Sequence, residues 1–350
     1  FFLITLNTPV HNPFHPLQLL QTMDRGKQKP RGSIAETSLG GSMPSLAEYA
    51  SDAESLYDER SVMTRDTATP ADKYFQGKVL VITGAGGQFG RAGCIYFARR
   101  GARIAGLDRD RETLKGTFAA MERELGNGAF DYKPYVCDVT DAKQVDGVIS
   151  SVYLRFKQID LLWNNAGYQG KIKPLLSYDP DDFKLVMEIN VAGMFIVMQA
   201  VANKMREQGD DEYSGGECAI VNTASTHGEK GTPAMIAYSS SKAAILSMSV
   251  VAAKELAQYG IRVNCISPAQ IGPGFMWDRE NKLHARVGPP LFPARQEEVA
   301  NQKIQQVPMK RLGEVEEVLN VVSFLLSKQS SYINGSNINV DGALTAGLKS

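Results

Sequence analysis

The sequence predicts an α/β fold: a doubly wound, seven-stranded parallel sheet in a single domain that follows an N-terminal extension. Three observations predict it. From Lys78 onward, short apolar runs alternate with segments of helical periodicity. The first run leads into a glycine-rich turn, Thr83-Gly84-Ala85-Gly86-Gly87-Gln88-Phe89-Gly90, which opens the first helix. The second run ends on an acid, Asp108. Strands that each return through a helix run in one direction, so their sheet is parallel and covered on both faces.

The elements follow in order. Residues 1–76 differ from the rest. They carry His11-Asn12-Pro13-Phe14-His15-Pro16, a basic run over Arg25–Arg31 and a Gly/Ser-rich stretch over 38–45. This composition predicts a largely disordered extension with one short helix over Ala47–Tyr57. Lys78–Thr83 is the first strand and Gln88–Arg100 the first helix. Ala102–Asp108 and Arg111–Leu125 are the next pair, followed by Asp131–Cys137 and Asp141–Phe156. Strand Ile159–Trp163 precedes a long helix over Pro180–Arg206, and strand Glu217–Thr223 precedes another over Pro233–Tyr259. Strand Arg262–Ser267, helix Val315–Ser327 and strand Asn337–Val340 complete the pattern. Residues 77–350 suffice for one doubly wound domain without a separate substrate domain. The stretch Pro273–Val307, rich in Pro and Gly, breaks the alternation near a strand's carboxyl end; a lid is expected over about 272–307.

Bulk properties exclude some functions. The 350 residues carry 38 basic and 38 acidic side chains, so net charge gives no argument for nucleic acid or an acidic membrane surface. No apolar run in the sequence approaches the roughly 20 residues that span a bilayer. Phe1–Leu6 is apolar but too short for a signal core, and the expected location is cytoplasmic. Cys94, Cys137, Cys218 and Cys265 form no CxxC pair and read as buried, reduced thiols. His11, His15, His227 and His284 show no metal-ligand spacing, and no metal is expected.

The residues that carry chemistry lie in the second half. Tyr238 and Lys242 stand four positions apart and share one helix face. A phenol ordinarily titrates near 10, and a cation beside it favours the phenolate, so the pair can shuttle a proton near neutral pH. Ser225 lies thirteen positions before Tyr238, just past a strand end. In the glycine-rich turn the backbone can approach a pyrophosphate seated on the helix N-terminus, which makes Gly84, Gln88, Phe89 and Gly90 cofactor candidates. Asp108 is placed to accept from a ribose diol and to repel a 2′-phosphate, which predicts NAD over NADP, with Arg109 able to offset part of that repulsion. His227 sits too close in sequence to Ser225, on a loop without a G-x-S-x-G elbow, to form a hydrolase pair with it.

These motifs, with Cys137-Asp138-Val139, Asn164-Asn165-Ala166-Gly167, Asn190 and Arg262-Val263-Asn264…Pro268, occur in the order and spacing of the short-chain dehydrogenase/reductase family, which residues 78–345 resemble. The resemblance implies a Rossmann fold and a role for each position. Tyr238 is the general acid/base, Lys242 lowers its pKa and bonds the nicotinamide ribose, Ser225 holds the substrate oxygen, and Asn190 positions a water in the proton relay. Asp138 and Val139 flank the adenine, and Asn165 supports the adenosine ribose within a cofactor wall that includes Ala166 and Gly167. Past Pro268, Ile271 binds the carboxamide through its backbone.

Asn164–Gly170, Val221–Ser225 and Gly272–Trp277 resemble more closely the family's bacterial NAD-dependent xylitol dehydrogenases, which form D-xylulose. That resemblance adds Tyr168 and Gln169 as substrate contacts. Phe275, Met276 and Trp277 are either plain lid core or a substrate wall. Ala269, where the family usually has glycine, adds a methyl group beside the nicotinamide. The expected function is NAD-dependent interconversion of a secondary alcohol and a ketone, a polyol such as xylitol being the first substrate reading. A cyclic or hydrophobic secondary alcohol is the second, and a non-catalytic NAD-binding regulator the third. The two long helices carry apolar residues on more than one face, which predicts a homotetramer.

Overall fold

The computed structural model describes residues 73–209 and 218–347. The expectations for residues 1–72, including the helix over Ala47–Tyr57, lie outside the described residues. Phe75, which the sequence reading groups with the extension, is buried and packs edge-on against Phe97 with ring centroids 5.3 Å apart.

The sheet has seven parallel strands in the order β3-β2-β1-β4-β5-β6-β7. They are β1 (Val79–Thr83), β2 (Arg103–Asp108), β3 (Tyr132–Val136), β4 (Leu161–Asn164), β5 (Ala219–Thr223), β6 (Arg262–Pro268) and β7 (Asn337–Val340). Register is set by pairs such as Val81↔Ala105 and Val81↔Leu162 on the two sides of β1. Every residue of β1 is buried, as expected of a central strand with both faces covered. Pro134 is tolerated in β3 because that strand is an edge and loses no ladder bond on its open side.

Side chains alternate between two cores. Leu80 and Ile82 join Ile95, Phe97, Trp163 and Val318 on one face, under α1 (Gln88–Arg99) and α2 (Arg111–Leu125). Val79 and Val81 join Val145, Ile149, Leu162 and Val201 on the other, under α3 (Ala142–Phe156). Asp110 and Asp141 cap α2 and α3, each accepting from two backbone N–H groups in the first turn.

The helix expected over Pro180–Arg206 is interrupted. It comprises α4 (Pro180–Met187), a π-helical segment over Glu188–Gly193, and α5 (Met194–Gly209). The widened turn is centred on Asn190, whose amide bonds away from its own helix. A short helix, α6 (His227–Lys230), precedes α7 (Ile236–Leu256), which ends in a 3-10 turn over Ala257–Tyr259. The Pro/Gly-rich stretch contains two helices, α8 (Phe275–Val287) and α9 (Gln296–Gln306), and α10 (Val315–Leu326) leads into β7.

One compositional expectation is corrected. By length and apolar content, the helical stretches Pro180–Gln208 and Ile236–Tyr259 both qualify as possible bilayer spans. In this fold they lie against the sheet on one face, with Val197, Val201 and Ala252 in the core, and leave Phe195 and Val251 exposed on the other.

Candidate active site

Chain order reverses between β1 and β4, because β1 neighbours both β2 and β4. The crevice past the carboxyl ends of these strands is where an open parallel sheet binds ligands. A cavity of about 560 Å³ opens there, large enough for a small-molecule site.

The glycine-rich turn forms one end of the cavity. A β-carbon on Gly90 would stand 2.1 Å from the Gly84 carbonyl oxygen, so only glycine lets α1 start this close to β1. A β-carbon on Gly86 would stand 2.1 Å from Thr113 Oγ1, so the turn needs glycine there to lie against α2. The Gly86 N–H donates to Asp108 Oδ2 at 2.9 Å, and the Asp110 N–H donates to Oδ1 at 3.1 Å. These bonds fix the carboxyl group at the end of β2. Burial raises the Asp108 pKa from the ordinary carboxylate value, against the two backbone N–H bonds. Gly84, Gln88, Phe89, Asp108 and Arg109 line this end, with Asp138 and Val139 beside them. Asp138 Oδ1 accepts from the N–H and hydroxyl of Thr140 at 2.9 and 2.8 Å.

The floor comes from the turn after β4. Thr83 Oγ1 accepts from the N–H groups of Asn165 and Ala166, both at 2.9 Å, and pins that turn to the end of β1. Asn165, Ala166 and Gly167 therefore present themselves along the cavity.

The side chains expected to handle the proton converge from α7 and the end of β5. Lys242 is buried, and its Nζ donates to the Thr223 carbonyl at 2.8 Å. Nζ stands 5.5 Å from the centre of the Tyr238 ring. Burial lowers the Lys242 pKa to about 8. Ser225 Oγ accepts from the His227 N–H at 3.2 Å and lies 3.5 Å from the Pro268 carbonyl. Ser225, Tyr238 and Lys242 all face the cavity.

Of the expected site residues, only Gly90 and Asn190 are set back from the lining. Gly90 packs against backbone, as described. Asn190 acts one layer behind. Its Oδ1 accepts from the Tyr168 N–H at 2.7 Å, and its Nδ2 donates to the Tyr168 carbonyl at 2.8 Å and to Ser241 Oγ at 2.9 Å.

The opposite wall is mixed. Phe275, Met276 and Trp277, at the start of α8, all line the cavity with Tyr168 and Gln169. Gln88 Nε2 lies 3.4 Å from the Pro273 carbonyl and ties the glycine-rich turn to this wall. Ala269 and Ile271 lie on the lining past Pro268, where the Gly272 N–H donates to Gly313 O and the Gly313 N–H donates to Gln270 O.

Glu280 is among the lining residues that the sequence does not single out. Glu280 reaches the cavity from α8, between Arg279 and Asn281. In Asp278-Arg279-Glu280-Asn281-Lys282 it reads as one charge of a solvated helix face, and the distant residue that neutralises it, Lys303, gives no local signal.

A cradle only glycine can form, an acid fixed beside it and a lysine–tyrosine pair at the far end suit a dinucleotide that ends in a redox-active ring. No described group of His, Cys, Asp and Glu residues has the arrangement of a metal site.

Comparison with known proteins agrees with this geometry. A family model described as enoyl-(acyl carrier protein) reductase matches residues 84–345. Levodione reductase of Leifsonia aquatica is 34% identical over 280 residues, covering 80% of this chain and 98% of that protein. D-threitol dehydrogenase of Mycolicibacterium smegmatis is 31% identical over 277 residues, covering 78% and 95%. The crystal structure of an NAD+-bound xylitol dehydrogenase superposes with a TM-score of 0.72 at 44% identity, covering 77% of this chain and 99% of that one.

Proposed function

The chain belongs to the short-chain dehydrogenase/reductase family, and from that premise we propose that it interconverts a secondary alcohol and a ketone with NAD, the alcohol being a polyol such as xylitol and the ketone D-xylulose. The observation that carries the reading is the buried Lys242 beside Tyr238, in the same cavity as the Asp108-braced turn. When bound, the oxidised nicotinamide supplies the acceptor for the hydride and its electron pair.

The chain's own residues handle the proton and the oxygen. Tyr238 takes the hydroxyl proton of the alcohol as general base and returns it in the reductive direction. The Lys242 ammonium stabilises negative charge on the Tyr238 oxygen and reaches the nicotinamide ribose. Ser225 donates to the developing oxyanion. Asn190 anchors the relay through Tyr168 and Ser241. At the other end, Gly84, Gln88, Phe89 and Gly90 seat the pyrophosphate. Asp108 accepts from the adenosine ribose, Asp138 and Val139 flank the adenine, and Asn165, Ala166 and Gly167 form the wall. Pro268 and Ile271 place the carboxamide. Tyr168, Gln169, Phe275, Met276 and Trp277 meet the substrate beneath a lid of residues 272–307.

The xylitol dehydrogenase likeness supports the polyol. The aromatic start of α8 and the likeness to levodione reductase favour a second reading, a cyclic secondary alcohol. NADH absorbance with xylitol, sorbitol, arabinitol and cyclohexanol, each with NAD and with NADP, separates the two. Turnover of xylitol with NAD is expected; activity on cyclohexanol alone retires the polyol, and silence on all four moves weight to an untested substrate or to a non-catalytic NAD-binding regulator.

The exposed Phe195, Val250 and Val251 on the outer faces of α5 and α7 support burial against other copies in a homotetramer. Light scattering at micromolar concentration tests this, and a clean monomer overturns it. The buried, free cysteines support a reducing, cytoplasmic compartment.

A further inference from the structure

We infer that Glu280, held by Lys303 and Gln169 on the lid side of the cavity, is a hydroxyl-reading subsite that selects polyhydroxylated substrates over apolar alcohols. The inference rests on the alcohol dehydrogenase reading and assigns the substrate class to a residue outside the shared catalytic set.

Glu280 is almost enclosed, with a side chain 13% exposed. Its Oε1 accepts from Lys303 Nζ on α9 at 2.6 Å, and its Oε2 accepts from Gln169 Nε2 at 2.6 Å. Gln169 is held in turn: its Oε1 accepts from Arg279 at 2.6 Å, and Arg279 also reaches the Gly170 carbonyl at 3.3 Å. The amide of Gln169 is thereby oriented, and it delivers one donor to Glu280. The Lys303 charge and its hydrogen bond keep Glu280 ionised against the cost of burial.

A buried ion pair contributes little net stability over well-packed apolar residues, so packing alone does not call for one here. On a cavity wall it has another use. An ionised carboxylate only accepts, and its two oxygens together offer about four lone-pair positions. Two of them hold Lys303 and Gln169, which leaves room for hydroxyl donors from the cavity.

His227 extends the polar patch. Its ring meets Tyr238 edge-on with centroids 5.9 Å apart, it lines the same cavity, and its buried Nδ1 has no hydrogen-bond partner among the described residues. A polyol whose reacting carbon lies at Tyr238 offers further hydroxyls to His227 and Glu280. An alcohol without them leaves a desolvated carboxylate unmet, and sites built to bond a hydroxyl reject such analogues strongly.

The test is Glu280→Gln, which keeps the shape and removes the charge. The readout is the ratio of kcat/KM for xylitol to kcat/KM for cyclohexanol in the NAD-loaded enzyme. Loss of hydrogen bonds to a charged acceptor predicts a fall in this ratio of about 10- to 100-fold. If both substrates lose activity alike, the ratio holds and Glu280 only supports the lid, which overturns the inference. Melting temperature and NADH affinity check the fold. If Glu280→Gln fails to fold with Lys303 left unpaired, Glu280→Gln combined with Lys303→Met removes both charges, and the same ratio is read. Calorimetric binding of xylitol to the NADH complex is independent of turnover. Binding that Glu280→Gln abolishes, in an enzyme inactive on every alcohol, keeps the subsite and sinks the redox reading. Turnover of cyclohexanol with no binding of xylitol does the reverse.

Discussion

Asn190 closes both backbone groups of Tyr168, accepting from its N–H at 2.7 Å and donating to its carbonyl at 2.8 Å. One side chain on the π-helical segment therefore fixes the backbone of the turn that forms the cavity floor, and Ser241, one turn from Tyr238, shares its amide. Removing it takes both of these bonds away from the Tyr168 backbone. Asn190→Ala is expected to lower stability by about 1–3 kcal/mol in denaturant unfolding. It should also lower kcat by about 10- to 100-fold, since it displaces the proposed relay. A variant with full kcat would remove Asn190 from the relay.

Tyr238→Phe keeps the ring beside His227 and Lys242 but removes the hydroxyl proposed to carry the proton. A fall in kcat/KM of about 10²- to 10⁴-fold is expected, with NADH affinity by fluorescence close to that of the parent protein. Retained turnover would move the proton to another group.

Much of this was legible in the sequence because the determinants are local. Strand and helix positions follow from apolar periodicity, and the cofactor end follows from a turn, an acid and their spacing. Elements differed from expectation mostly at their ends, where hydrogen bonding rather than periodicity sets the limit. A polar Asn190 inside the long helix hints at a kink, but the widened turn over Glu188–Gly193 is not legible, because it depends on a bond from Asn190 to a loop twenty-two residues earlier. Glu280 was hidden for the same reason: its neutralising partner Lys303 sits on the next helix, twenty-three residues away. The sequence does not decide between lid core and substrate wall for Phe275, Met276 and Trp277, and only the tertiary arrangement puts all three on the cavity.

On the proposed reading, Asp108 selects NAD over NADP. The Gly86 and Asp110 N–H groups hold its carboxyl where a ribose diol would meet it. Asp108→Ala removes both the acceptor for that diol and the repulsion of a 2′-phosphate, with Arg109 left on the cavity wall to attract one. The ratio of kcat/KM for NAD to that for NADP is expected to fall by about a hundredfold, from two losses each worth about tenfold. An unchanged ratio would show that preference is set elsewhere.

His284 makes stability depend on acid. It is fully buried on α8, stacked on Phe292 with centroids 4.0 Å apart, and neither ring nitrogen has a hydrogen-bond partner among the described residues. Burial first, then the Lys303 charge and His227, lower its pKa to about 3, against the pull of Glu280, whose Oε1 lies 3.8 Å from Nδ1. The unfolded chain binds this proton near the ordinary histidine value of about 6.5, well above the folded value. Between those two values the unfolded state holds more protons, so stability falls as pH falls, by up to about 1.4 kcal/mol per pH unit for this one group. Above pH 6.5 neither state is protonated and the contribution is complete. His284→Leu removes the group and keeps an apolar filling against Phe292. The variant is therefore expected to match the parent near pH 7 within about 1 kcal/mol and to lose stability less steeply between pH 6 and pH 4. Urea unfolding of both proteins across that range measures it, and parallel curves would show that His284 is protonated in the folded state.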